Sequence, residues 1–437
     1  MATAKAFFNA LDNLHALDFS DPKQKALYVE NMQGDNNAAE KLLREISFRS
    51  GQGVYLFTGQ VGSGKSTELQ RLKACLEKDG CTVFYTDLKE WLDLNDPVEL
   101  GSFLLAVVAS WIGQAGSLLG TRTPAQRLTE FLSKTNLRLD SLTVGFDFAA
   151  VKTNLQFALS QDRSIVKQVE DTLRANKTKF IAQVHDFVES LVAEFPSDRK
   201  IVLLIDSLEK FGDITAIDGS KQDSVLALFQ NAHALKLPLV HVVYSISYLL
   251  YEQNRQLSAQ LGGAIAVNLP SVHVFKRHSN EPDPTGLDRL RELLTKRYAA
   301  WGEFFTLEQV NDIALKTGGD LRDFMRVFQV AVLSNNNTRN LSASDEHLAQ
   351  GYDQVRPSLA IDGQHIAWMT RLQSSHRAEL EGNIDFHVLT RYLQTKHVLA
   401  YLNGQTWYAL HPLIQEEVLA IEALAKDRLQ SSASANI

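Results

Sequence analysis

The sequence predicts an α/β protein: a parallel sheet flanked by helices, followed by an all-α lid and a winged-helix-like C-terminal module. Three observations carry this. Short apolar runs of strand length alternate with helical segments from residue 53 to residue 270, which is how a parallel sheet is written. A glycine-rich stretch, TGQVGSGKST, lies between the first of those runs and a helix. Near the C-terminus, two alternating runs in TKHVLAYLNGQTWYALHP meet at Asn403-Gly404, a strong two-residue hairpin signal.

Residues 5–17 and 36–47 have helical spacing of their apolar positions. GVYLF (53–57) is a strand, 59–66 the glycine loop and 67–78 an amphipathic helix. CTVFYTDL (81–88) is a second strand, and a helix follows over 98–115. The stretch 124–195 interrupts this alternation. Its middle, LTVGFDFAAVKTNLQFALS, alternates apolar and polar residues and predicts a hairpin with helical flanks, as an insertion or long connection. The sheet resumes with KIVLLID (200–206), a helix over 224–234, the strand PLVHVVYSIS (238–247), the helix YLLYEQNRQLSAQL and a last strand, AIAVNLP. SNEPDPTG (279–286) has linker composition, and helices near 287–300, 306–316 and 320–333 form a small bundle. SNNNTRN is a second break. Helices before and after the hairpin, the latter over 413–425, complete the module, and the tail SSASANI is expected to be disordered. The expected organisation is a core over 1–278 with an insertion at about 124–195, a lid over 279–337 and the hairpin module over 338–437.

Composition bounds the function. The chain has 437 residues, 45% hydrophobic and 22% charged, and a net charge of −7. Mean hydropathy is −0.15 and the pI about 6.0. No apolar run approaches the roughly 18 residues of a membrane span. The N-terminus, MATAKAFFNALDNLHALDF, reads as a mature helix and not a signal peptide, so a cytoplasmic location is expected. Cys75 and Cys81, flanking a helix-to-strand turn, are expected to be packing thiols in a reducing compartment. The acidic balance argues against wholesale electrostatic capture of nucleic acid and leaves room for a local basic patch.

Gly59, Gly64, Lys65 and Ser66 satisfy G-x-x-x-x-G-K-[ST], with a strand before and a helix after. Such a loop makes an anion nest of backbone N–H groups beside the positive end of a helix. Gly62, Ser63 and Thr67 complete the candidate cradle. Lys65 is expected to reach the β- and γ-phosphates and the Ser66 hydroxyl to ligate Mg²⁺. Asp206, emerging from an apolar strand at its carboxyl edge, is the candidate metal-orienting carboxylate. Glu209 is the candidate for polarising the attacking water, or a solvated acid at a helix start. Asp87, ending the second strand, is a weaker candidate that alternatively caps the following turn. Ser245 or Ser247 closes the strand expected beside that of Asp206 and either touches the γ-phosphate or water, or bonds its own backbone. Trp407 and Tyr408 should face opposite sides of the hairpin, one in the core, and His411 reads as a turn residue. No cluster of His, Cys and acids has zinc spacing.

With these residues in place, the chain resembles an AAA+ or STAND-type P-loop ATPase, in the initiator-like clade with a C-terminal winged helix. The resemblance covers about residues 25–335, with GQVGSGKST as Walker A, VLLIDSLEK as Walker B and TGGDLRDFMRVF (317–328) as the second sensor. It implies the P-loop NTPase fold, ATP and Mg²⁺ as ligands, and contact of the lid residue Arg322 with the γ-phosphate. The alternative for Arg322 is pairing with Asp320 or Asp323. It also implies adenine contacts around Tyr28 and Val29 of KALYVENMQG. An arginine finger falls to Arg255, to Arg277 or to neither. Most AAA+ members place Asp and Glu adjacent in Walker B; here the acid waits until Glu209, a spacing closer to STAND proteins. The resemblance thus implies a slow, oligomerising regulatory ATPase, in bacteria often part of a defence system with a separate effector protein. Adenine specificity rests on it and on the lack of an N-K-x-D motif. A DNA-associated initiator- or transposition-type ATPase is the alternative; from Pro357 onward, however, six Lys or Arg face eight Asp or Glu. Arg371, Arg377, Arg391 and Lys396 remain a candidate cluster for DNA. A third reading is a scaffold that binds ATP and barely turns it over.

Overall fold

The computed structural model describes residues 3–12, 15–34, 37–116, 118–119, 122–137, 148–211, 214–215, 221–222, 224–247, 250–251, 254, 256–277, 279–335, 341–361, 363–379, 386–403 and 405–434. Two compact units divide the chain. The sheet unit comprises Ala38–Thr58 and Glu68–Asn268; the loop unit comprises Met1–Asn37, Gly59–Thr67 and Leu269–Ile437.

The sheet unit is built on β1 (Gly53–Gly59), β2 (Thr82–Asp87), β3 (Ile201–Asp206), β6 (His241–Ser247) and β7 (Ile265–Leu269). Two two-residue strands, β4 (Ile214–Thr215) and β5 (Lys221–Gln222), pair antiparallel to each other apart from that sheet. The order is β2-β3-β6-β1-β7, so one strand separates the strand that ends in the glycine loop from the strand that ends in Asp206. β2 and β6 both run parallel to β3, with Asp87 opposite Asp206 and Ile205 opposite Tyr244. All six residues of β3 are buried. A strand covered on both faces is stabilised only if nearly every side chain is apolar, which IVLLI satisfies up to its last residue. The helix Leu100–Ala115, which carries Trp111, is buried almost all round and fills the core together with Phe84 and Phe187.

Among the described residues the insertion is helical. Pro124–Lys134, Phe148–Gln161, Arg163–Ala175 and Lys177–Val192 are helices, which overturns the expected hairpin for residues 148–160; residues 142–147 lie outside the described residues. The physical reason is periodicity. Strict alternation is confined to LTVGFDF, whereas Val151, Leu155, Ala158 and Leu159 are buried at helical spacing.

In the loop unit the helices Pro284–Arg297, Leu307–Lys316 and Leu321–Ser334 pack with Asp345–Val355 around Phe7, Phe304, Phe324 and Phe328. Pro284 occupies the first turn with Asp283 as N-cap, so the helix begins inside the segment whose composition reads as linker. β8 (Val398–Asn403) and β9 (Gln405–Leu410) form the expected hairpin, with Asn403 opposite Gln405; Gly404 is outside the described residues. Trp407 is buried and stacks on Tyr401 at 4.6 Å, while Tyr408 is half-buried, as alternation requires. The last helix runs Pro412–Ser434, into the tail expected to be disordered; 435–437 lie outside the described residues. Cys75 and Cys81 are free, and burial raises the Cys81 thiol pKa. Among the described residues no helix is long and apolar enough to cross a membrane.

The helix Leu100–Ala115 begins without a side-chain cap of its own, since Glu99 makes no capping bond. Glu170, from the helix Arg163–Ala175, supplies the acceptor: Oε1 takes the Ser102 N–H at 2.8 Å and the Ser102 hydroxyl at 3.1 Å. Burial nonetheless outweighs these bonds and raises its pKa from 4.5 to about 7. An acid whose folded pKa is raised takes up protons on folding, so wild-type stability is highest below pH 4.5 on this account and is lost as pH rises to about 7. Glu170→Gln should flatten that slope, by on the order of 3 kcal/mol across the window. Denaturant midpoints of both proteins at pH 5 and pH 8 measure it; equal pH slopes would refute the assignment.

Candidate functional site

The glycine loop belongs to the loop unit. Gly62 and Gly64 have φ of +90° and +94°, the left-handed region that side chains disfavour. A Cβ on Gly62 would also come within 2.8 Å of the Asp320 carboxylate. The loop leads into the helix Lys65–Lys78, whose first residues are Lys65, Ser66 and Thr67. Lys65 is buried, and its Nζ donates to the carbonyls of Gly59 at 3.0 Å and Gln60 at 3.2 Å. Ser63 Oγ donates to the Gln60 carbonyl at 2.9 Å, and Gln33 Nε2 donates to the Ser63 carbonyl at 3.2 Å. Ser66 and Thr67 are half-buried.

Gln33 was missed in the sequence, although it lies in the stretch read as nucleotide-facing. Of the residues expected there, Val29 is buried in the apolar core, and Tyr28 packs edge-on against Phe19 while its carbonyl accepts Lys296 Nζ at 2.6 Å.

Asp320 caps the helix Leu321–Ser334, accepting from the N–H groups of Arg322 at 3.0 Å and Asp323 at 2.9 Å. The cation that pairs with these acids is Lys396, at 2.8 Å from Asp320 and 3.0 Å from Asp323, and not Arg322, which is exposed. Burial works against the Lys396 charge, but the two carboxylates prevail and raise its pKa. Burial, then repulsion from Asp320, raises the pKa of Asp323. Lys396 is thereby withdrawn from the basic cluster considered for DNA. Arg277 donates to Gln405 Oε1 at 3.0 Å, and Arg255 lies outside the described residues.

In the sheet unit Asp206 is fully buried. Tyr85 donates its phenol to Oδ2 at 2.7 Å, and the Ser207 N–H donates to Oδ1 at 2.7 Å. Burial and the Asp206 charge push the Tyr85 pKa upward, so the phenol stays a donor. Tyr85 was not identified from sequence; its position two residues before Asp87, on the same face of β2, was the available signal. Ser207 has φ of +72°, and Lys210 Nζ holds its hydroxyl at 2.9 Å. Glu209 sits on the 3₁₀ turn Leu208–Lys210 and accepts from Ser245 Oγ at 3.1 Å, so Ser245 is the serine brought to the acid. Asp87 caps the turn after β2, accepting from Lys89 N at 3.3 Å and pairing with Lys89 Nζ at 2.9 Å.

No family model matches the chain, and no curated protein does. Among solved structures it is similar to Cdc6p from Pyrobaculum aerophilum, at 11% identity and TM-score 0.41, covering 96% of this chain and 98% of that one. It is similar to ORC2 from Aeropyrum pernix at 12% identity and TM-score 0.45, covering 98% of each. A Walker-type ATPase of Pyrococcus abyssi stands at 13% identity and TM-score 0.43, covering 94% of this chain and 99% of that one. Likeness at this level carries no statement about what this chain binds.

Two substitutions test the site's construction. Tyr85→Phe removes one of the two donors to a buried carboxylate and should cost about 2 kcal/mol in chemical denaturation; an unchanged midpoint would show that the bond is dispensable. Lys396→Met leaves two buried acids without their cation and should cost roughly 3–5 kcal/mol. Adding Asp323→Asn should recover part of that loss, and a double variant no more stable than the single one would count against the pairing.

Proposed function

We propose that the chain is an ATP-binding, Mg²⁺-dependent ATPase that acts as a nucleotide-driven, oligomerising switch. The observation that carries this reading is the left-handed pair Gly62 and Gly64 leading directly into a helix that opens with Lys65 and Ser66. A turn of that kind exposes main-chain amides at a helix N-terminus, where an anion is favoured by both hydrogen bonding and the helix dipole.

The residues present fit the ligands. Lys65 supplies a buried ammonium for phosphate, and Gly59 to Thr67 the cradle. Among the described residues no group of three His, Cys, Asp or Glu could hold a metal ion alone. That suits Mg²⁺, which keeps several waters and takes one or two protein ligands plus phosphate oxygens; Ser66 and Asp206 are the ligands we assign. When bound there, Mg²⁺ would supply positive charge against the phosphate oxygens. Tyr85 and the Ser207 N–H orient the Asp206 carboxylate. Glu209, fixed by Ser245, orients the attacking water and accepts its proton. Arg322, exposed at the start of its helix, is the assigned sensor of the γ-phosphate, and Tyr28 and Val29 the adenine-side contacts. A cytoplasmic location is carried over as the expectation from the sequence, whereas slow turnover and a role in bacterial defence beside a separate effector rest on the family resemblance alone. The DNA reading draws less support, because Lys396 is already neutralised within the chain.

Calorimetry and phosphate release test the proposal. Wild type should bind MgATP, Lys65→Ala should lose binding, and Glu209→Gln should bind yet turn over about 100-fold more slowly. Turnover unchanged in Glu209→Gln favours a scaffold that uses ATP only as a ligand. Absence of heat with correctly folded wild type would overturn the nucleotide reading. A slowly hydrolysed ATP analogue should raise the mass in solution, and a mass unchanged by nucleotide removes oligomerisation from the proposal.

A further inference from the structure

Gln60, the residue after Gly59, is 9% exposed, and its amide uses its whole hydrogen-bonding capacity. Nε2 donates to the Val398 carbonyl at 2.8 Å and the Leu393 carbonyl at 3.3 Å. Oε1 accepts from the Ala400 N–H at 3.1 Å and the Ser271 hydroxyl at 3.0 Å. Val398 and Ala400 are alternate residues of β8, and they stand opposite Leu410 and Tyr408 of β9. The N–H groups of Leu410 and Tyr408 are bonded elsewhere, to Gln373 Oε1 and the His376 carbonyl. Val398 and Ala400 therefore occupy the pairs that do not bond across the hairpin, and their C=O and N–H point outward from its edge. The Gln60 amide meets them as the N–H and C=O of one residue of an adjoining strand would.

The main chain of the same residue is held from the loop. Its carbonyl accepts from Lys65 Nζ at 3.2 Å and from Ser63 Oγ at 2.9 Å. The chain just before β8 is tied to the site as well: Lys396, two residues before Val398, pairs with Asp320 at 2.8 Å, and Asp320 is the group beside Gly62. Loop and hairpin edge, more than 300 residues apart in sequence, share one buried amide.

We propose that Gln60 is a positioning residue that couples phosphate occupancy of the glycine loop to the edge of the C-terminal hairpin; this rests on the reading of the loop as the ATP phosphate site. When the Lys65 ammonium leaves the Gln60 carbonyl for phosphate and the loop amides become fixed, the Gln60 side chain holds β8 more tightly. By linkage, the hairpin then contributes to nucleotide affinity by the same factor. An adventitious core amide would fill the space without responding to the loop.

The experiment is hydrogen exchange of the peptide spanning Ala400 in the full chain, with and without Mg²⁺ and a slowly hydrolysed ATP analogue, alongside calorimetric affinity. In wild type the analogue should slow exchange there several-fold. Gln60→Ala should bind the analogue about tenfold more weakly, within the range of ordinary coupling energies, and its β8 exchange should no longer respond. Ser271→Ala, which removes one of the four bonds, should fall between the two and decides the matter if Gln60→Ala does not fold. A wild type that binds the analogue without a change at β8 overturns the coupling alone, as does a variant with wild-type affinity and response. A wild type that does not bind overturns the nucleotide reading, and the coupling with it, before any variant is examined.

Discussion

The turn through Gly62 and Gly64 is the constraint on which the loop unit is built. A backbone in the left-handed region at two nearby positions presents main-chain groups that no regular element pairs, and each needs a partner. Lys65 folds back on the carbonyls of Gly59 and Gln60, Ser63 onto Gln60, and Gln33 onto Ser63. The bare face of Gly62 is where Asp320 approaches. Because residue 62 has no side chain, a helix N-terminus and its capping acid lie against the loop. Helix capping and loop conformation therefore become one problem with one solution.

The molecule handles buried carboxylates at helix starts in two ways. Asp320 and Asp323 lie on the first turn of one helix and receive a buried lysine, so their cost is met by charge. Glu170 receives only hydrogen-bond donors, and desolvation dominates its titration. The first arrangement places a cation between its two acids, within 3.0 Å of both. The second trades some stability near neutral pH for a cap on a helix too deeply buried to be capped by water.

What was legible in the sequence was what short-range pattern encodes. The strand, glycine loop and helix around Lys65, the apolar run ending in Asp206, and the hairpin face carrying Trp407 all follow from spacing within a dozen residues. The helix Phe148–Gln161 was misread because the alternating run LTVGFDF, which ends on its first residue, set the period for what followed. Tyr85 and Gln60 were passed over, and Lys396 was read as a DNA-facing cation, for another reason. Each acts on a partner that is distant in sequence, 121 residues away for Tyr85 and 76 for the pairing of Lys396 with Asp320. A tyrosine in a strand, a glutamine in a loop and a lysine in a basic-looking module carry no local mark of such use.

The wide spacing between Asp206 and Glu209 has a geometric explanation. After β3 the chain reverses at Ser207, a fully buried non-glycine residue with φ of +72°, a conformation that costs on the order of 1–3 kcal/mol. That reversal turns the Ser207 N–H back onto Asp206 and allows one 3₁₀ turn, Leu208–Lys210, to start at once. The turn carries Glu209 toward β6, the next strand of the sheet, where Ser245 meets it. An acid directly after Asp206 would sit at the left-handed position itself, without the turn that aims it at β6. The strained serine is thus what lets an acid three residues on take a fixed place beside the strand that separates β3 from the loop strand, and its hydroxyl, held by Lys210, keeps the reversal in one conformation.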